Sequence, residues 1–445
     1  MPELLTFPKV LIFGQPFNDF SGGGITLTNL FKGWPKDKIA VAFIGHGLLN
    51  ITTDVCNTVY QLGRDEHKWI FPLNLIQRKF KSGLRSFNDT EVKVPANYIQ
   101  SRLRYRIVNN YFYPALEWIG LFHMLSRIQL SEGFKSWLSE FKPEILYFQL
   151  SSRETILFAT DLYDYLRIPV VNHIMDDWPS AISSKGPFRK YWASRIDWEL
   201  RAVFRRTDLF LSIGEAMSEE YLKRYGIKFI PFHNPIDTER WLAFTKTDFS
   251  INPEHVTILY SGRVGEYGIT ESLYEVAGAI DSMESGQYKI KLHIQTPTKK
   301  ENVLNKLKEY KCVVINPFAE YERIPEIFAS ADILLLANDF NPNGIDYLRL
   351  SMPTKAPEYM ISGSPVLVYA SDQTAVSDFF SRNKCGYCVT SQDTAKIQKA
   401  IMDLIDNRNL RETLSSSAVS LARHKFDSSK VRKDFQDLIK SIVKS

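Results

Sequence analysis

At 445 residues the chain is longer than one hydrophobic core commonly grows, so two domains are expected. Hydrophobic residues make up 44% and charged residues 24%, with no repeat or low-complexity tract, which excludes a solenoid or a disordered array. A net charge of +5 is modest for this length and does not by itself announce a nucleic-acid partner.

The N-terminal stretch to Phe13 lacks a basic region and runs into the apolar Val10-Leu11-Ile12-Phe13, so a cleaved signal peptide is not expected and the cytoplasm is the expected compartment. A strand at Lys9 to Phe13, the turn Ser21-Gly22-Gly23-Gly24, a helix to about Lys32 and a strand at Ile39 to Ile44 predict a parallel, doubly wound opening. Gly23 and Gly24 let backbone N–H groups and the helix dipole approach a phosphate or sugar oxygen; a plain tight turn is the other reading. Neither GxGxxG nor GxxxxGK[ST] is present, so a dinucleotide dehydrogenase and a P-loop kinase are unsupported.

From Arg78 to Arg106 the chain is basic: Arg78, Lys79, Lys81, Arg85, Lys93, Arg102, Arg104 and Arg106 stand against Asp89 and Glu91, interleaved with Phe80, Phe87, Tyr98 and Tyr105. Either this is a cationic, aromatic surface for anionic lipid headgroups or a phosphorylated acceptor, or it is a solvated helix pair over the core. Strands follow at Glu144 to Gln149, Pro169 to Ile174 and Leu209 to Ile213. His173, Met175 and Asp177 lie at period two and share a face if the strand persists, with Asp176 opposite. His173 reads as a core histidine or as a group near a bound sugar, and Asp177 before Trp178-Pro179 is the stronger site candidate.

Asn234-Pro235 forces a turn, and the expected division is residues 1–240, then 250–425, then a helix in 426–445 that crosses back to the first domain. The second series runs through strands at Val256 to Tyr260, Lys289 to Ile294, Cys312 to Ile315, Ile333 to Leu336 and Val366 to Tyr369, with helices between. The last helix, about Ser428 to Lys444, places Val431, Phe435, Leu438, Ile439 and Ile442 on one side. The expected fold is α/β: two Rossmann-like, doubly wound domains facing a cleft at the carboxyl ends of their strands.

Apolar runs such as Ile333 to Ala337 fall far short of the roughly 20 residues that span a bilayer. Four cysteines do not make a disulfide framework; Cys385 and Cys388 form a CxxC with no second pair at zinc-ribbon distance, and that segment reads as a turn into a short strand. No metal or other cofactor is expected.

Arg263, in Ser-Gly-Arg after the first strand of the second series, can neutralise a leaving diphosphate. Pro353 to Val366 is the most specific segment. Read as a short helix stopping at Gly363, it puts Lys355 and Glu358 on one face with Thr354 at the start. A lysine there can pair with a diphosphate, and a carboxylate one turn on can accept hydrogen bonds from ribose hydroxyls.

Arg263, Phe318-Ala319-Glu320, Ile324-Pro325, Ala331 to Leu335 and Lys355 to Pro365 together resemble the donor half of GT-B glycosyltransferases of family 4. The N-terminal glycines and Val170 to Pro179 are similar to the acceptor half. Residues 50–140 carry no matching motif. The resemblance implies a retaining, metal-independent hexosyl transfer from a nucleotide diphosphate sugar to a glycan or lipid-linked acceptor in bacterial surface polysaccharide or glycolipid assembly, with a UDP-sugar slightly favoured over a GDP-sugar. It also implies a cytoplasmic enzyme peripheral to the inner face of the membrane. Glu358 would hold the ribose, Arg263 and Thr354 the diphosphate, and Phe318 would flank the base. Two departures stand out. Leu350 occupies the position where the family often has a glutamate, and no lysine follows Arg263 near Tyr267-Gly268; Lys355 is the candidate replacement. Where the family often has a histidine this chain has Met175. An inverting reaction would need a base, for which Asp177 or Asp19 could serve. The alternatives are a non-reacting nucleotide-binding scaffold, a nucleotide-sugar epimerase, and a nucleic-acid glucosyltransferase using the Arg78 to Arg106 segment.

Overall fold

The structure is a computed structural model that describes residues 7–19, 21–44, 51–75, 77, 80–85, 108–181, 186–265, 268–283 and 287–443. The chain divides into two compact units, Met1–Phe232 with Arg432–Ser445, and His233–Val431.

In the first unit the strands are β1 (Val10–Phe13), β2 (Ile39–Ile44), β3 (Val59–Leu62), β4 (His67–Trp69), β5 (Gly83–Arg85), β6 (Ser126–Ile128), β7 (Ile145–Phe148), β8 (Val170–Ile174), β9 (Leu209–Ser212) and β10 (Ile230–Pro231). Among the described residues the main sheet has the order β10-β9-β8-β7-β1-β2-β3-β5. It is parallel except where β5 runs against β3. All four residues of β1 are buried, as are all four of β7, which is why both read as unbroken apolar runs. The direction of winding reverses between β1 and β7, so ligand-binding loops are expected where these two strands end.

The helix Gly22–Phe31 starts where Ser21 Oγ accepts a hydrogen bond from the Gly24 N–H at 3.2 Å. A Cβ on Gly24 would lie 2.2 Å from Asn18 Nδ2, so glycine is required for Asn18 to approach. Asn18 Oδ1 in turn accepts from the Ser21 N–H at 2.8 Å and holds the turn shut. Leu27, Leu30 and Phe31 bury the inner face of this helix. The terminal helix Ser428–Ser441 brings Phe435 to Phe31, Tyr147 and Phe232, with ring centroids 5.1, 6.3 and 5.4 Å away, while Arg432 Nε donates to Asn29 O at 2.8 Å.

The second unit contains β11 (Val256–Ser261), β12 (Ile290–Thr296), β13 (Val313–Pro317), β14 (Ile333–Ala337), β15 (Val366–Tyr369) and β16 (Tyr387–Val389), ordered β13-β12-β11-β14-β15-β16 and parallel throughout. Alternation sends Ile258, Tyr260 and Leu335 into one core layer and Leu259, Leu334 and Leu336 into the other. Winding reverses between β11 and β14, which places the turn Ser261-Gly262-Arg263 at the switch point.

Five short strands, β3, β4, β5, β6 and β10, have no counterpart in the sequence expectations. The described part of the basic segment, residues 80–85, is a loop and the edge strand β5, so the helix reading fails there. Arg85 on that edge donates through Nε to Gln61 Oε1 and through Nη2 to Lys81 O, and its charge guards the open edge. Arg78, Lys79, Arg102 and Arg104 lie outside the described residues.

Candidate functional site

The strongest constellation forms at the carboxyl end of β11. The helix Ala356–Ser362 ends at Gly363, whose φ of 79° is the left-handed C-terminal cap, and no side chain caps its start. Tyr359 on this helix accepts a hydrogen bond from the Ser261 N–H at 2.8 Å. Lys355, just before it, donates from Nζ to Ser261 O at 2.9 Å and lies 3.8 Å from the Tyr260 ring centroid. The helix start is thereby pinned to the Ser-Gly-Arg turn. Asn234 Nδ2 donates to Thr354 O at 3.3 Å and fixes the approach to the helix.

Lys355 and Glu358 are both half-buried. Burial pushes the Lys355 ammonium down to about 7, opposed by the Glu358 charge. Burial pushes the Glu358 carboxyl up to about 7, opposed by Arg240 and Lys355. Among the described residues none donates a hydrogen bond to Glu358. A cation with one carbonyl and two rings, those of Tyr260 and Tyr359, beside a carboxylate with no donor among the described residues, is costly for the empty protein and suits a ligand that brings an anion and hydroxyl donors together.

Gly262 has φ +148°, and a Cβ there would lie 3.0 Å from Lys355 Nζ and 3.3 Å from the Tyr260 hydroxyl. Gly262→Ala is therefore expected to cost about 1 kcal/mol of stability and to displace the lysine. A denaturant melt reads the first effect and nucleotide titration the second.

Arg263 is exposed on the same turn, its carbonyl accepting from the Tyr260 hydroxyl at 2.7 Å. Phe318 is exposed immediately beyond β13. Sequence reasoning passed over two neighbours. Arg240, on the helix Thr238–Leu242, donates through Nη2 to Tyr321 O at 3.0 Å and stacks over the Tyr321 ring at 4.6 Å. Its charge favours the ionised form of Glu358. No local pattern could have found it, because Arg240, Tyr321 and Glu358 come from three separate stretches. Leu350, where a carboxylate was of interest, is a buried apolar side chain.

In the first unit the candidates part company. His173 is buried on β8 and hydrogen-bonds through Nδ1 to the Tyr147 hydroxyl at 2.5 Å; burial pushes its imidazole down to about 3. Its burial on the strand matches the core-histidine reading. The strand ends at Ile174, so the period-two face does not reach Asp177. Asp177 is buried, with Oδ1 accepting from Arg224 Nη1 at 2.8 Å and Tyr221 Oη at 3.0 Å, and Oδ2 from Arg224 Nη2 at 3.0 Å and Ser180 Oγ at 2.7 Å. That carboxylate is saturated by a structural ion pair. Asp177→Ala should cost about 3 kcal/mol in a denaturant melt by stranding Arg224, while nucleotide binding per folded molecule persists. Asp176 is the exposed carboxylate of the two, and surrounding protein raises its carboxyl above the ordinary value.

The Gly24 N–H is occupied by Ser21 and is not offered to a ligand; a Cβ on Gly23 would sit 3.4 Å from Gln15 Oε1 and 3.6 Å from Met175 Sδ. Gln149 Nε2 also reaches Met175 Sδ, at 3.2 Å, which gathers Gln15, Gln149 and Met175 where β1, β7 and β8 end. The CxxC is no exposed thiol pair: Cys385 is buried and burial raises both thiols, that of Cys385 to about 12.

Residues 255–407 match the family model of glycosyl transferases group 1. A search of curated protein sequences gives no match. Among solved structures, HepE of Anabaena in complex with UDP-glucose superposes with a TM-score of 0.59 at 11% identity, covering 98% of this chain and 100% of its own. Sucrose-phosphate synthase of Thermosynechococcus elongatus gives 0.60 at 11%, covering 97% and 98%. WaaG, a glycosyltransferase involved in lipopolysaccharide biosynthesis, gives 0.55 at 13%, covering 97% and 99%. At such identities the likeness carries the fold alone. The chain thus has the GT-B fold of two Rossmann-like domains, and its residues 255–407 match glycosyl transferases group 1.

Proposed function

We propose that this protein transfers a hexose-type sugar from a nucleotide diphosphate donor, UDP-linked in preference to GDP-linked, to a glycan or lipid-linked acceptor with retention of configuration. The observation that carries the reading is the half-buried Lys355 and Glu358, one helical turn apart and neither in an ion pair with a described residue, beside the Ser-Gly-Arg turn. In this reading Glu358 accepts from the ribose hydroxyls, with the Arg240 charge favouring its ionised form. Lys355, Arg263 and the segment at Thr354 stabilise the departing diphosphate, whose oxygen accepts the acceptor proton on the same face of the sugar. These cations supply the charge that the leaving group needs, so the transfer calls for no cofactor. Phe318 and Tyr321 are the exposed rings available to a base.

The match to glycosyl transferases group 1 and the likeness to a structure holding UDP-glucose support the donor class. The likeness to WaaG supports an acceptor in surface glycan or glycolipid assembly, and hence work at the inner face of a membrane. No helix among the described residues is long and apolar enough to cross one. The competing reading, a scaffold that binds nucleotide without transfer, is favoured by Leu350, an apolar side chain where related sites often hold a sugar-binding carboxylate. Incubation with UDP-sugars decides between them: sugar release or transfer, lost in Lys355→Met, supports the enzyme, and tight UDP-sugar binding without turnover on any acceptor or water supports the scaffold.

A further inference from the structure

Arg263 stands on a turn with a glycine on either side of it, Gly262 at φ +148° and Gly265 at φ +76°, conformations that other residues rarely adopt. A loop of this kind has no ladder of its own to hold it. An arginine on a loop that moves loses affinity for an anion, because binding must then order the loop as well as the side chain.

The structure answers that problem with side chains. Four backbone groups between Arg263 and Gly265 are each taken by one: the Arg263 carbonyl accepts from the Tyr260 hydroxyl at 2.7 Å, the Val264 N–H donates to Thr298 Oγ1 at 3.0 Å, the Gly265 N–H donates to Thr270 Oγ1 at 3.0 Å, and the Gly265 carbonyl accepts from Lys300 Nζ at 2.5 Å. The Gly262 N–H donates to Gln295 O at 2.9 Å, which ties the start of the turn to β12. A Cβ on Gly265 would lie 2.9 Å from Val303 Cγ2, so the turn also rests on the helix Glu301–Lys308.

Thr270 shows that this clamp is more than packing. It precedes the helix Glu271–Asp281, where a threonine hydroxyl commonly accepts from the first turn. Here it makes no such bond. Asp339 takes that place, with Oδ2 accepting from the Thr270 N–H at 3.0 Å and Oδ1 from the Ser272 N–H at 2.8 Å. The helix is capped from elsewhere, and the Thr270 hydroxyl holds the turn.

We propose that Thr298, Thr270 and Lys300 are positioning residues for Arg263: they keep its turn in one conformation, so that the guanidinium is in place when a nucleoside diphosphate arrives. The inference rests on the donor reading above and goes beyond it, since it gives roles to residues that act through the backbone of the turn.

The test is the affinity of the full chain for UDP and for uridine, measured by calorimetry and by competition at a temperature where every variant is folded. Uridine lacks the diphosphate, so the difference between the two isolates the contribution of the cations. Thr298→Val and Lys300→Met should each weaken UDP about fivefold, the scale of one hydrogen bond, and leave uridine unchanged, while Thr298→Ser should restore the wild-type value. In an Arg263→Ala background neither substitution should weaken UDP further. An equal loss for uridine and UDP would mean a structural role and overturn the inference, as would a penalty that persists without Arg263. A UDP affinity that neither variant alters overturns the inference and leaves the donor site standing, whereas a wild type that binds no nucleoside diphosphate overturns the donor reading and the inference together.

Discussion

Glu358→Ala is expected to weaken UDP binding by about two orders of magnitude, the loss of two charge-assisted hydrogen bonds from ribose hydroxyls, while making the empty protein more stable. The two effects have opposite signs for one reason. The folded carboxyl stands at about 7, above its ordinary value of 4.5, because burial removes it from water and no described residue donates to it. A raised carboxyl leaves stability intact at low pH and erodes it as pH climbs from the ordinary value to about 7, since the unfolded chain then gives up its proton more readily. At pH 8 the alanine variant should therefore melt higher than the wild type, by about 1 kcal/mol of stability, and should no longer be stabilised by UDP. A carboxylate held only for structure would behave in the reverse way, because its loss would lower the melting temperature.

Lys355→Met is expected to reduce kcat/KM for sugar transfer by about a thousandfold, the scale for removing a cation aimed at developing charge in a screened site. The pH behaviour gives a sharper signature. The empty site holds the ammonium down at about 7, and a bound diphosphate favours its protonated form. Affinity for a UDP-sugar should thus fall as pH rises through about 7, with proton uptake on binding. Glu358 acts oppositely, because ribose hydroxyls favour the carboxylate, so affinity should fall as pH drops below about 7. The resulting bell should lose its alkaline limb in Lys355→Arg, whose guanidinium stays charged, and its acid limb in Glu358→Gln. Calorimetry in buffers of different ionisation enthalpy measures both.

The parts legible in the sequence are those whose causes are local. Buried parallel strands such as β1, β7 and β14 are unbroken apolar runs bounded by turns, and the Lys355 to Gly363 segment carries its helix start, its spacing and its stop in one short stretch. The strands β4, β5 and β6 have three residues each, too few for any period to register, and they exist only because distant partners pair with them. Roles were harder to see than elements. Asp177 looked available because Arg224 and Tyr221 reach it from the helix Glu215–Tyr225, well along the chain. Arg240 went unnoticed for the same reason. The glycine turn was legible as a turn, but that Ser21 rather than a ligand takes the Gly24 N–H is a matter of one side-chain rotamer.

The decisive experiment is a thermal-shift titration of the wild type beside Glu358→Ala with UDP, GDP, ADP and their common sugar conjugates. Saturating UDP or a UDP-sugar should raise the wild-type melting temperature by several degrees, GDP less and ADP less again, with the UDP response gone in Glu358→Ala. A folded wild type that answers to no nucleoside diphosphate, or one whose UDP response survives unchanged in Glu358→Ala, would contradict a donor site built on Lys355 and Glu358.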